Sequence, residues 1–117
     1  MNHNRRVGLI GEILAARYLR NNGYDVVAAN YYTKVGEIDI VAVYKKVICV
    51  VEVKTRIGKT MLPPREAVDY RKQNNLRSAA EFLKQDYKTK MPIRFDIIEI
   101  IVLDSTKAIL KHHKNAF

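Results

Sequence analysis

The chain has 117 residues, enough for one hydrophobic core and too few for a multidomain machine. Hydrophobic residues make up 48% and charged residues 28%, a globular mix rather than a disordered one. Twenty-one Lys and Arg against 12 Asp and Glu leave a net charge of +9, which points to a phosphate-bearing partner, nucleic acid ahead of an anionic membrane surface. Residues 1–56 carry nine basic and five acidic side chains and residues 57–117 twelve and seven, so the excess belongs to the body and not to a tail. A single cysteine, Cys49, excludes an intramolecular disulfide and makes a reducing, cytoplasmic setting the simplest expectation. No apolar run reaches the ~18 residues of a membrane span, and the basic start Met1–Arg6 leads into Glu12 and Arg17 rather than a signal-peptide core.

Periodicity predicts a helix from Arg5 to Asn22, closed by Gly23 in the left-handed position. A short strand follows over Tyr24–Asn30, a second over Ile38–Tyr44, a tight turn at Lys45-Lys46 and a third strand over Val47–Thr55. Val47 to Val51 is apolar on both faces, as in a central strand covered from both sides. Gly58–Pro64 reads as a loop, and Pro63-Pro64 leads into a long helix over Arg65–Tyr87. Ile93–Leu103 is a fourth strand and Lys107–His113 a short last one. The chain is therefore expected to form a single α/β domain over residues 1–117, αβββαβ with a mixed central sheet flanked by helices.

Ionisable groups interrupt this pattern at defined places. Glu52, Lys54 and Arg56 share a strand face with Ile48 and Val50, where charges are costly unless paired, wet or bound to a cation. Asp39 is flanked by β-branched residues on the face of Val41 and Val43. A two-residue turn sets Tyr44 opposite Val47 and hence Asp39 opposite Glu52, provided that the hairpin has no bulge. Two opposed carboxylates call for a cation between them, and hard oxygen donors suit Mg²⁺ or Mn²⁺. In the first helix Gly8, Glu12, Ala15 and Leu19 form one stripe with Gly11 beside it, so a close approach would carry Glu12 toward the sheet. Lys72 lies in the apolar stripe Val68, Leu76, Ala79 and Leu83 of the second helix.

The weaker signals have plainer readings. His112 and His113 are adjacent, which aims their rings apart, and Cys49 reads as a small core group. Tyr31-Tyr32 beside Lys34 could stack on bases, although a pair of exposed turn tyrosines is the plainer reading.

Gly36-Glu37-Ile38-Asp39-Ile40 followed by Val51-Glu52-Val53-Lys54-Thr55-Arg56 resembles the Asp…Glu-x-Lys core of the PD-(D/E)XK nuclease superfamily. With Gly11-Glu12, Asn30-Tyr31, Lys72, Arg94-Phe95-Asp96 and the ending His112–Phe117, nearly the whole chain resembles the small bacterial YraN family. The resemblance implies a restriction-endonuclease-like fold and hydrolysis of DNA phosphodiesters, branched or damaged DNA included, with a non-catalytic nucleic-acid-binding module on the same fold as the alternative. It implies that Asp39, Glu52 and the backbone carbonyl of Val53 hold Mg²⁺ or Mn²⁺. Lys54 would position or activate the attacking water, and Glu12 would match the helix-borne acid of related Holliday-junction resolvases. Lys72, Arg56 and Lys34 are the expected nucleic-acid contacts, and the small footprint of the domain is compatible with a homodimer.

Overall fold

The computed structural model describes residues 3–58 and 68–117. Its elements are α1 (His3–Asn21), β1 (Asp25–Thr33), β2 (Gly36–Tyr44), β3 (Val47–Ile57), α2 (Tyr70–Tyr87), β4 (Ile93–Val102) and β5 (Ala108–His113). The strands form one sheet in the order β1-β2-β3-β4-β5. β3 and β4 run parallel, and the other neighbours are antiparallel. This is the expected mixed α/β sheet, compatible with the restriction-endonuclease-like fold. The expected loop over Gly58–Pro64 and the helix start at Arg65 fall almost wholly outside the described residues. Val68 precedes α2, and Asp69 caps it by accepting the Lys72 N–H at 2.9 Å.

The helices cover opposite faces. Ile38, Val41, Ile48, Val50 and Ile97 pack against Leu76, Ala79, Ala80 and Leu83 of α2. Ile40, Ala42, Cys49, Val51, Ile98 and Ile100 pack with Ala15 and Leu19 of α1. Cys49 is buried, and burial pushes its thiol up to about 11, in keeping with a core group. The turn residues Lys45 and Lys46 both adopt positive φ, 49° and 64°, as a two-residue hairpin demands.

Gly11 sets how closely α1 approaches the sheet. A Cβ at Gly11 would lie 1.8 Å from Thr55 Oγ1 and 3.0 Å from Thr55 Cβ, whereas Gly8 has nothing within 4 Å. Gly11, and not Gly8, is thus the contact that brings Glu12 down to β3. Gly11→Ala is expected to cost about 1–3 kcal/mol by overpacking, with part of the loss recovered in Gly11→Ala/Thr55→Ala. Urea denaturation of the three proteins measures this.

Candidate active site at the parting of β2 and β3

The β2–β3 hairpin keeps the expected register without a bulge: Tyr44 faces Val47, Ala42 faces Cys49 and Ile40 faces Val51. The ladder stops there. Asp39 and Glu52 come next, but they are not a ladder pair as the simple hairpin reading has them. The strands part, and Asp39 Oδ2 accepts the Val53 N–H at 2.9 Å in place of a backbone carbonyl of β2. Asp39 also leaves the face of Val41. Ile38 packs toward α2 and Ile40 toward α1, although strict alternation would put both on one face. A matching fault runs through β1, where Ala28 and Tyr31 both pack toward α2. Asn30, between them, has φ 53°, a left-handed conformation that Asn tolerates better than most residues. Asn30 and Asp39 lie between the Ala29–Ile40 and Tyr31–Ile38 pairs, so the two strands are distorted at the same level.

Glu52 stays on the α2 face, where it is 4% exposed. Its Oε2 lies 3.8 Å from Lys72 Nζ and has no hydrogen-bond partner among the described residues. Burial, the charge of Asp39 and a hydrogen bond with Asp39 push the Glu52 carboxyl up to about 8, against the opposing pull of Lys72 and Lys54. The two effects of Lys72 and burial disagree in sign. Burial prevails because the Lys72 side chain is 41% exposed and its contact is long.

Glu12 reaches the same place from α1. Burial, Asp39 and Glu37 raise its carboxyl above the ordinary range, and a hydrogen bond from Asn30 partly offsets them. Asp39 therefore lies between two acids, Glu52 from the α2 side and Glu12 from the α1 side. A hollow of about 370 Å³ lined by Gly8, Glu12, Val53 and Thr55 opens on the α1 side. The N–H and C=O of one strand residue face the same neighbour, so the bond from Val53 N–H to Asp39 turns the Val53 carbonyl into the gap as well. The gap thus collects hard oxygen donors and one buried carboxylate oxygen without a hydrogen-bond partner, the donor set a small divalent cation takes. Among the described residues no three or more His, Cys, Asp and Glu side chains form a metal-binding group. The two carboxylates and one carbonyl would leave the remaining coordination positions to water or substrate.

The other expected contacts are spread out. Arg56 is half-buried on β3 two residues beyond Lys54, and its Nε has no hydrogen-bond partner among the described residues. Lys34 is exposed at the β1–β2 turn, away from Glu52.

Two buried acids on β4 carry features that sequence reasoning did not assign. Asp96 is fully buried and accepts Arg94 Nε at 2.9 Å, Arg94 Nη2 at 2.7 Å and the Asn115 N–H at 3.1 Å. His112 Nε2 lies 2.7 Å from its Oδ2, and Tyr18 Oη lies 2.9 Å from His112 Nδ1. Burial works to raise the Asp96 carboxyl, but the bonds from His112, Arg94 and Asn115 outweigh it and hold it below its usual value. The network ties α1, β4, β5 and the C-terminal residues together. Asp96→Asn leaves Arg94 without its buried counter-charge, and a loss of about 3–5 kcal/mol in denaturant unfolding is expected. Glu99, also fully buried, faces the other side. His113 Nε2 lies 2.8 Å from its Oε1, and Lys54 is its neighbour across the parallel ladder. The adjacent histidines thus point to opposite faces, as expected. The overlooked signal for Asp96 and Glu99 was an acid inside an apolar β-branched run, the same anomaly that singled out Asp39.

Comparison with known proteins adds the family. A UPF0102 protein of Syntrophomonas wolfei is 44% identical over 115 residues, covering 97% of this chain and 99% of its own. One from Clostridium botulinum (strain 657 / Type Ba4) is 42% identical over 118 residues, covering 97% and 95%. One from Alkaliphilus oremlandii is 40% identical over 117 residues, covering 97% and 99%. Residues 11–100, which contain Glu12, Asp39, Glu52 and Lys54, match the profile of the uncharacterised protein family UPF0102. With its acids held at a β2–β3 parting and this match across most of its length, the chain belongs to the UPF0102 (YraN) family.

Proposed function

We propose that the protein is a metal-dependent nuclease that hydrolyses phosphodiester bonds of DNA at the parting of β2 and β3. The observation that carries this reading is the pairing of half-buried Asp39 with buried Glu52, with Glu52 pushed up to about 8 and its Oε2 without a hydrogen-bond partner among the described residues. Two carboxyl groups so placed repel when ionised, and a divalent cation relieves that repulsion. Asp39, Glu52 and the Val53 carbonyl would hold Mg²⁺ or Mn²⁺, which when bound supplies charge stabilisation for the phosphoryl oxygens and a more acidic water.

The remaining work falls to this chain's side chains. Lys54, beside Glu52 on the same face, orients the attacking water and faces the developing negative charge. Val53 N–H fixes the Asp39 carboxylate so that it need not reorganise. Glu12, held by Asn30, accepts a proton from water on the α1 side in this reading. Lys72, Arg56 and Lys34 bind the polyanion, and the +9 body makes that binding steeply salt-dependent. No helix among the described residues is long and apolar enough to cross a membrane.

A second reading, a non-catalytic nucleic-acid-binding module, is favoured by the Lys72 ammonium 3.8 Å from Glu52, which offsets part of the pair's charge without a metal. Incubation with circular, linear, single-stranded and branched DNA in Mn²⁺, Mg²⁺ or EDTA separates the two. Cleavage that needs the metal and vanishes in Asp39→Asn and Glu52→Gln supports the nuclease. Salt-sensitive binding without cleavage of any substrate supports the module.

A further inference from the structure

An open groove of about 670 Å³ runs between the far end of β1 and the last turns of α2. Tyr31, Tyr32, Lys34, Phe82, Gln85 and Asp86 line it. One wall is fixed: the Tyr31 hydroxyl donates to Asp86 Oδ2 at 2.5 Å, and its ring meets that of Tyr87 edge-on at 6.0 Å. The other wall is open, because Tyr32 is 75% exposed and Phe82 is also exposed. The groove continues the candidate active site along the chain. Asn30, which holds Glu12, immediately precedes Tyr31, and Tyr32 is two residues on, about 7 Å along the strand.

We propose that this groove receives an unpaired nucleobase of the nucleic-acid strand bound at Asp39 and Glu52, with Tyr32 stacking on the base. The proposal rests on the nucleic-acid reading above and deepens it by naming the substrate feature that is read. Three aromatic rings offer flat apolar faces suited to a planar base. Gln85 supplies an amide and Asp86 a carboxylate at the rim, the groups that pair with base edges. Lys34 places an ammonium where the adjoining phosphate would pass, in keeping with the +9 body. A bare phosphate would need none of these rings, and a fully paired duplex presents no base face to them. The substrate is therefore DNA with unpaired nucleotides beside the cut, such as a gap or flap.

Fluorescence anisotropy in EDTA tests this without relying on cleavage. The probes are a blunt duplex, the same duplex with a three-nucleotide gap, and the gapped duplex with abasic sites in place of the gap bases. The wild-type protein is expected to bind the gapped duplex about tenfold more tightly than the abasic one. Tyr32→Ala should lose that preference and keep its affinity for the blunt duplex, and Tyr32→Phe should retain the preference. Equal affinity for gapped and abasic probes, or an unchanged preference in Tyr32→Ala, overturns the proposal while leaving the nucleic-acid reading in place. Failure to bind any of the three probes overturns both.

Discussion

Asp39→Asn and Glu52→Gln are each expected to lower metal-dependent DNA cleavage by about 10³-fold or more while leaving DNA affinity within a fewfold of wild type. Both changes keep shape and remove an ionisable carboxyl group. Asp39→Asn removes the carboxylate from a group that accepts the Val53 N–H and leaves an amide oxygen able to accept it, so the local strand geometry survives. Glu52→Gln keeps the neutral shape that the buried group has without metal and removes its ability to ionise toward a cation. Lys54→Ala is expected to lower cleavage by about 10²–10³-fold, the scale for losing one preorganised stabiliser of transition-state charge. Single-turnover assays with saturating protein separate the chemical step from binding, which gel shifts report. Cleavage within tenfold of wild type in Asp39→Asn would remove the site from the reaction.

The second large effect concerns protons. With Glu52 pushed up to about 8, the metal-free protein carries a proton there at neutral pH. A divalent cation needs the carboxylate, so metal uptake must expel that proton. Apparent Mn²⁺ affinity is expected to rise about tenfold per pH unit from pH 6 and to level off above 8. Calorimetry in buffers of different ionisation enthalpy should show about one proton released per ion at pH 7. Stability without metal runs the other way. The folded-state pKa lies above the ordinary value of 4.5, so the folded protein binds the proton more tightly than the unfolded chain does. That contribution is fully present below about 4.5 and is lost as pH rises through about 8. The wild type should therefore lose on the order of 4 kcal/mol relative to Glu52→Gln between pH 5 and 8.5. Mn²⁺ should restore stability at pH 8.5 in the wild type and not in Glu52→Gln. Parallel Tm curves for the two proteins across this range would contradict a buried Glu52 carboxyl that holds its proton to neutral pH.

Much of this was legible in the residues because it is local. The Lys45-Lys46 turn fixed the β2–β3 register, and the alternation along β3 placed Glu52 and Lys54 on the α2 face. Adjacency alone sent His112 and His113 to opposite faces. What alternation could not show is a break in alternation. Asp39 enters the gap between strands at the level where Asn30, on another strand, turns left-handed, and no spacing rule links residues 30 and 39. The link from Glu12 to Asn30 is likewise tertiary. β1 runs on to Thr33 past the expected end at Asn30, because pairing with Gly36–Ile38 carries the strand through its own distortion. Asp96 needed Arg94, His112 and Asn115 from two separate segments to be recognised as a structural hub.

The central claim, that Asp39 and Glu52 form a cation site serving hydrolysis, is tested most directly by Mn²⁺ binding. Electron paramagnetic resonance of Mn²⁺ at pH 8.5, with the protein bound to a phosphorothioate duplex, compares wild type with Glu52→Gln. The wild type is expected to remove at least one Mn²⁺ per chain from the free signal beyond the amount removed by Glu52→Gln. Identical free Mn²⁺ in the two samples, with the duplex bound in both, would contradict it.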